Sequence, residues 1–211
     1  MSRAQDRKNA VVDINAAAKM YKSNLVGKIF LYVFEGNYIE VMYKADNFRH
    51  LTGVDTKLTA KQFYQYAAKG ILTASQIFFS AKHPYDLSIK KLKHIKDIAT
   101  LAGTESFMLE EIITDSTIYK FGATDLHFTL CLNKELDRTG AAVSEYYIAQ
   151  SLRDEDCFAK SKNAYVVTHI FSRRNDEKKY NEILFPLTRL KMEDIPESIR
   201  EKIDSSLFSK E

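Results

Sequence analysis

The stretch Asn47-Phe48-Arg49-His50-Leu51-Thr52-Gly53 places an arginine and a histidine where a strand-like run gives way to a turn. Gly53 supplies the backbone freedom that a tight turn uses. A histidine there can take or give a proton near neutral pH, where its ordinary pKa lies. It suits acid–base chemistry; it equally suits a turn histidine that satisfies a backbone group. A second cluster, Thr168-His169-Ile170-Phe171-Ser172-Arg173-Arg174, lies near the end of a later strand-like run. Two-residue alternation sets His169 and Arg173 on one face, with Thr168, Ser172 and Arg174 on the other. If that strand borders a groove, an arginine fork there grips phosphate; otherwise the charges form a solvated strand end. Ser151 shares a strand face with Tyr147 and Arg153 by the same alternation, as a site residue or simply a small strand residue. Lys178-Lys179-Tyr180 offers charge and a ring to RNA, or is a solvated turn.

Other chemistries lack their signatures. The chain has no Walker loop, no Rossmann glycine pattern and no His-Glu-x-x-His pair. Clustered metal ligands are missing, so no metal and no cofactor are expected. Cys131 and Cys157 form neither a metal spacing nor a disulfide framework, and a Cys–His nucleophile pair would have to come from distant positions. A reduced, cytoplasmic setting fits two such cysteines. Residues 1–9 are charged, without the apolar core of a signal peptide, and no run is long enough for a membrane span. With 45% hydrophobic and 28% charged residues over 211 positions, the composition is that of one globular domain. A net charge of +3 permits an anionic partner without demanding one.

The elements that must position these residues follow from periodicity. Val11, Ile14, Ala18, Tyr21 and Leu25 recur at helical spacing, and Gly27 follows as a stop. Residues 28–35 and 38–44 read as strands joined at Gly36-Asn37. Residues 59–70 read as a helix capped by Thr59, with Phe63, Ala67 and Ile71 inward. A short helix is expected over 73–82, then a break at His83-Pro84 and a helix capped by Ser88. On that helix Ile89, Leu92, Ile95 and Ile98 face inward, while Lys90, Lys91, Lys93 and Lys96 read as a solvated face. From residue 107 the period becomes two, with strands over 107–114, 117–123, 126–133, 146–153 and 165–173. Leu126, Phe128, Leu130 and Leu132 should share one face. Residues 181–185 add a last strand, and Pro196 opens a terminal helix on Ile199, Ile203 and Leu207 within 192–208. The expected class is α+β, a helical N-terminal half with an early β-hairpin packed on an antiparallel β-meander.

The His-Leu-Thr-Gly turn, the helix with Phe63 and Tyr64, and the late segments 172–180 and Asn181-Glu182-Ile183-Leu184 carry a resemblance. Over residues 27–185 the chain resembles a phage-associated branch of the barnase–EndoU–colicin–RelE nuclease class. The resemblance implies helices followed by an antiparallel sheet, and metal-independent RNA cleavage by a toxin or effector of a phage or mobile element. In that chemistry a base frees the 2′-hydroxyl, a cation stabilises the charged phosphate and an acid protonates the leaving 5′-oxygen. His50 would be base or acid, Arg173 or Arg174 the clamp near it, and His169 or Tyr147 the second proton-transfer group; Ser151 lies where late strands would line the groove. Arg49, Arg174, Lys178 and Lys179 are the candidate RNA contacts. The alternative is a non-catalytic phage-type protein that binds and inhibits a host nuclease, defence complex or immunity partner. His–Arg chemistry also leaves open the transfer of a nucleotide-derived group.

Overall fold

The computed structural model describes residues 3–188 and 190–208. Val11, Ile14, Ala18, Tyr21 and Leu25 are all buried, so α1 (Arg3–Asn24) lays one face on the core. A hairpin follows, β1 (Lys28–Phe34) and β2 (Asn37–Met42), turning at Glu35 and Gly36 in left-handed conformations. Next come the one-turn α2 (Phe48–Thr52), the short β3 (Asp55–Thr56) and α3 (Ala60–Lys69). Thr59 and Gln62 close α3 with a reciprocal capping box.

The helix expected over 73–82 does not form. The Gln76 side chain accepts from the Thr73 N–H in a turn, and β4 (Ile77–Phe78) pairs with β3. Burying Ile77 on that small sheet replaces a helical stripe. The following helix, α4 (Tyr85–His94), begins directly after Pro84 and not at Ser88. The Ser88 hydroxyl instead donates to the carbonyl of Gly53 at 2.5 Å, tying α4 to the end of α2. A short α5 (Ile98–Leu101) ends the helical half.

The remaining strands are β5 (Phe107–Ile113), β6 (Ile118–Thr124), β7 (Thr129–Leu136), β8 (Ala142–Arg153), β9 (Asn163–Arg174) and β10 (Glu182–Phe185). β5 to β8 run as the expected meander. The sheet does not stop there. β9 pairs with both β5 and β1, and β2 meets β8 in a short parallel contact, so seven strands close into a barrel, with β10 added along β9. The meander expectation failed because the early hairpin supplies the strands that join its two edges.

Alternation separates the two sides of this wall. Phe30, Tyr32, Phe121, Leu130, Leu132 and Ile170 face inward, against residues of α1, α3 and α4. Ile29, Leu31, Val33 and Phe171 face outward, under the C-terminal segment. In that segment a single turn of α-helix, α6 (Glu197–Arg200), flanked by 3-10 turns at Met192–Asp194 and Ser205–Leu207, stands among the described residues in place of the longer helix expected after Pro196; Ile199 and Ile203 are nonetheless buried. Phe63, Ile95, Phe128 and Leu130 are buried as expected, each contributing roughly 1.5–3 kcal/mol. Leu126 departs from the face assigned to it. It sits exposed at φ 78° in a tight turn, where the Thr124 hydroxyl accepts from its N–H.

The tightest point of the wall is Gly122 of β6. A β-carbon there would press into Ile112 Cδ1 and come within 2.9 Å of Thr129 Cγ2. Gly122→Ala is therefore expected to destabilise the fold by about 1–3 kcal/mol, the usual cost of overpacking, read as a lower urea midpoint at unchanged slope. A midpoint equal to wild type would show that the wall yields at this position.

Candidate functional site

One turn of helix carries His50, and its placement is fixed from several sides. Phe48, Leu51 and Thr52 point into the core, which leaves Arg49 half-buried and His50 exposed. The Asn47 side-chain amide donates to the carbonyl of Ala149 in β8 at 3.1 Å. Gly53 ends the turn at φ 67°, a conformation that strains any residue with a β-carbon. The stem of Lys91, from α4, crosses that glycine so closely that a β-carbon would sit 2.7 Å from its Cδ. His94, three residues on, lies 2.5 Å from Asp154 and stacks on Phe128, which holds α4 against the end of β8.

Beyond Gly53 the chain enters β3, and Asp55 is received there by two side chains. The Ser80 hydroxyl donates to one carboxylate oxygen at 2.5 Å, and His83 Nδ1 lies 2.8 Å from the other. Burial pushes the Asp55 carboxyl up, but these two bonds and the charges of His83 and Lys82 outweigh it and hold it below its ordinary value. His83 is therefore oriented by Asp55, with Nε2 as its other ring nitrogen.

His50 and His83 are close enough to feel one another. Burial first, then the charges of Arg49, His83 and Lys91, lower the His50 pKa below its ordinary 6.5. The Lys91 ammonium is itself pushed down, by burial first and then by Arg153 at the end of β8. Among the described residues no carboxylate pairs with Lys91 or Arg49. Arg153 stacks over Tyr119 at 5.9 Å and reaches Glu155 at 3.4 Å, while its buried Nε has no partner. The arrangement is a histidine pair, one member poised neutral and the other braced by a carboxylate, beside Lys91 and Arg49, which have no carboxylate partner among the described residues, and Arg153, which pairs with Glu155. Such a set can move two protons and stabilise an anion.

The other candidate residues lie elsewhere. Tyr147 faces inward at the opposite reach of β8, beside Phe121 and opposite Lys134. The register slips between Cys131 and Leu132, which gives β8 one extra residue at Gln150. Ser151 therefore pairs with Cys131 on the outer side and does not share a face with Tyr147, as simple alternation required. His169 and Arg173 lie on the outer face of β9, beyond the barrel wall from α2. His169 borders a cavity of about 420 Å³ with Val33, Pro186 and Asp194; burial lowers its pKa and Asp194 opposes that. Arg173 donates to the carbonyl of Glu177 at 2.6 Å and to the Tyr146 hydroxyl at 3.1 Å, and stacks on Tyr180. Arg174 pairs with Asp176 at the strand end, followed by Lys178 and Lys179 in the turn.

The charges of His83 and Lys91 act on His50; Asp55 is bonded to His83, and Arg153 acts in turn on Lys91. Sequence spacing gave no signal for them: Asp55 and His83 stand 28 positions apart, and Lys91 is one lysine of a basic helix face. Among the described residues no three His, Cys, Asp or Glu side chains gather as a metal-binding group. None of the described helices is long and apolar enough to cross a membrane.

No curated protein and no solved structure matches the chain. One family model does match, over residues 13–186, and so runs from within α1 through β10 with the whole of this cluster. The chain belongs to the family described as phage-Barnase-EndoU-ColicinE5/D-RelE like nuclease4.

Proposed function

We propose that this nuclease-family protein cleaves RNA without a metal, through attack of the 2′-hydroxyl, at the His50 cluster. The observation that carries the reading is Lys91: a half-buried lysine with no carboxylate partner among the described residues, its stem packed on Gly53 at the end of the His50 turn and its charge acting on His50. A protein gains nothing from such a charge in the absence of an anion, and a phosphodiester supplies one.

The roles follow from the environments. Neutral His50 takes the proton of the 2′-hydroxyl. The freed oxygen attacks phosphorus, and the bond from phosphorus to the 5′-oxygen breaks. His83, with Asp55 accepting at Nδ1, gives a proton from Nε2 to that leaving oxygen. Lys91, Arg49 and Arg153 face the charge that builds on the phosphate oxygens. The products are a 2′,3′-cyclic phosphate and a 5′-hydroxyl, and the atoms balance without a further reactant. A role as a toxin or effector of a phage or mobile element, acting in a host cytoplasm, suits this chemistry and belongs to the same proposal.

His50→Gln keeps a hydrogen-bonding side chain of similar size but cannot exchange a proton near neutrality. Cleavage of a mixed RNA pool should fall by about 10²–10⁴-fold, while the thermal midpoint stays close to wild type. Wild-type cleavage should persist in chelator and stop at a 2′-deoxy position. Full activity of His50→Gln would remove this residue from the mechanism. Wild-type protein that cleaves no RNA, yet captures a host nuclease or defence protein, would transfer the reading to non-catalytic inhibition.

The pH dependence has a definite sign. A base must be neutral to act, and the lowered His50 pKa keeps it neutral to below 6.5. The acid limb of kcat/KM should accordingly lie below the ordinary histidine value. Lys91→Met deletes one of the charges that depress His50, so the imidazole pKa, followed by NMR, should rise and the acid limb should move with it. An unchanged His50 titration in this variant would place Lys91 too far away to serve.

A further inference from the structure

The mouth of the barrel holds a groove that the cleavage chemistry does not use. A cavity of about 500 Å³ is lined from β1, β2 and β5 to β9, walled by Phe34, Phe121, Tyr147 and Tyr165. A second hollow of about 520 Å³ adjoins it, sharing Lys134 and Tyr147 and reaching Lys120 and Gln150. The rings are already set as platforms. Phe34 and Tyr165 stack at 5.4 Å and 21°, and Phe121 meets Tyr147 edge-on at 5.1 Å. Tyr147 and Tyr165 are only half-buried, so ring surface stays open to a ligand.

The charges around the mouth divide clearly. Glu110 is fully engaged, accepting from Lys120 at 3.0 Å, Asn163 at 3.1 Å and the Tyr165 hydroxyl at 2.9 Å. Those bonds, with the Lys120 charge, outweigh its burial and hold its carboxyl at about 2. Glu40 is likewise taken up, by Tyr180 and Lys202. Lys134 is different. It sits 5.5 Å over the Tyr147 ring and, among the described residues, has no carboxylate partner. The rim therefore offers an ammonium without a carboxylate partner among the described residues, above an aromatic floor, with Glu110 and Glu40 engaged and Glu145, also in the lining, turned to solvent. Open rings beside a free cation are what a single strand of nucleic acid meets on its binding proteins, the bases stacking and the phosphates facing the charge.

We propose that the barrel mouth is a second, non-catalytic binding site, which takes bases of single-stranded nucleic acid on Tyr147 and an adjoining phosphate on Lys134. The inference rests on the RNA-cleaving reading of the His50 cluster and supplies its substrate class, an unpaired strand in place of a duplex. β8 connects the two sites. It carries Tyr147 in the mouth, Gln150 at the bulge and Arg153 in the cluster. The six steps from Tyr147 to Arg153 span about 20 Å at the usual strand rise. A strand laid along β8 would so be held several nucleotides from the phosphate that reacts.

The test uses the full chain and a fluorescein-labelled oligodeoxynucleotide of ten residues. This probe has no 2′-hydroxyl, so its binding does not depend on whether the protein cleaves. Anisotropy should show the wild type bound, and Tyr147→Leu weakened by about 5- to 150-fold, the range that loss of one stacking partner gives. Tyr147→Phe keeps the ring and should bind like wild type, which a role for the hydroxyl or for the fold would not predict. Lys134→Ala, at a rim position with little consequence for folding, should weaken binding and reduce the slope of log Kd against log salt. Wild-type affinity in both Tyr147→Leu and Lys134→Ala would overturn the proposal. So would equal losses in Tyr147→Phe and Tyr147→Leu, or a wild type that binds no oligonucleotide, which would leave the mouth to a protein partner. Binding without any RNA cleavage would support the mouth while overturning the nuclease mechanism.

Discussion

Everything in this fold depends on β1 having two neighbours at once. It pairs with β2 along one edge and with β9 along the other, over nearly its whole length. With both edges used, its side chains are buried on both faces: Phe30, Tyr32 and Phe34 inside, Ile29, Leu31 and Val33 outside. The inner set anchors the helices and the outer set anchors the C-terminal segment. Closure also removes the free edges that an open sheet must otherwise protect. The weak place in the wall is the parallel contact of β2 with β8, only two residue pairs long. The His50 cluster lies where this seam runs out. Asn47, just beyond β2, bonds to Ala149, just beyond the last paired residue of β8, so a side-chain amide continues where the ladder ends.

The net charge of +3 says little about this site, because most of the relevant charge is cancelled locally. Lys28 pairs with Glu182, Lys44 with Glu135, Lys96 with Asp13, Lys160 with Glu155 and Lys202 with Glu40. Exposed pairs of this kind contribute little stability each. Their consequence is to leave a few cations uncompensated, and the half-buried Lys91 is one of them. An ion that has lost part of its water and gained no counter-ion costs free energy in the empty protein. Ser88 on Gly53 and His94 on Asp154 fix α4 at both of its ends, which holds the lysine in that position.

How much of this was legible in the sequence depends on whether a signal is local. α1, the first hairpin, α3 and the phase of β7 beyond Phe128 follow from periodicities and caps contained within one element. The stop at Gly53 was legible for the same reason, although what precedes it is a turn of helix, α2, set by the burial of Phe48 and Leu51, and not the end of a strand. Barrel closure was not, because the β1–β9 and β2–β8 pairings join segments more than a hundred residues apart. Nor was the extra residue at Gln150, which turns Ser151 away from Tyr147 and is visible only in the register with β7. Asp55 and His83 meet because β3 and β4 pair, and that pairing stands where helical periodicity suggested a helix.

The contrast between Arg153 and Arg173 shows why residue type alone misassigns a site. Both end a long strand, both lie over a tyrosine ring and both bury Nε without a partner. Arg173, however, spends its fork on the Glu177 carbonyl and the Tyr146 hydroxyl. Tyr180, whose ring it covers, also donates to Glu40, so this guanidinium is one member of a network that fastens the C-terminal segment to the barrel. A cation with its hydrogen bonds already committed to the fold has few left for a phosphate. Arg153 pairs with one carboxylate, Glu155, at 3.4 Å through Nη1. Bringing an anion to Arg153 competes with that one pair, whereas bringing one to Arg173 would require breaking bonds that fasten the C-terminal segment to the barrel.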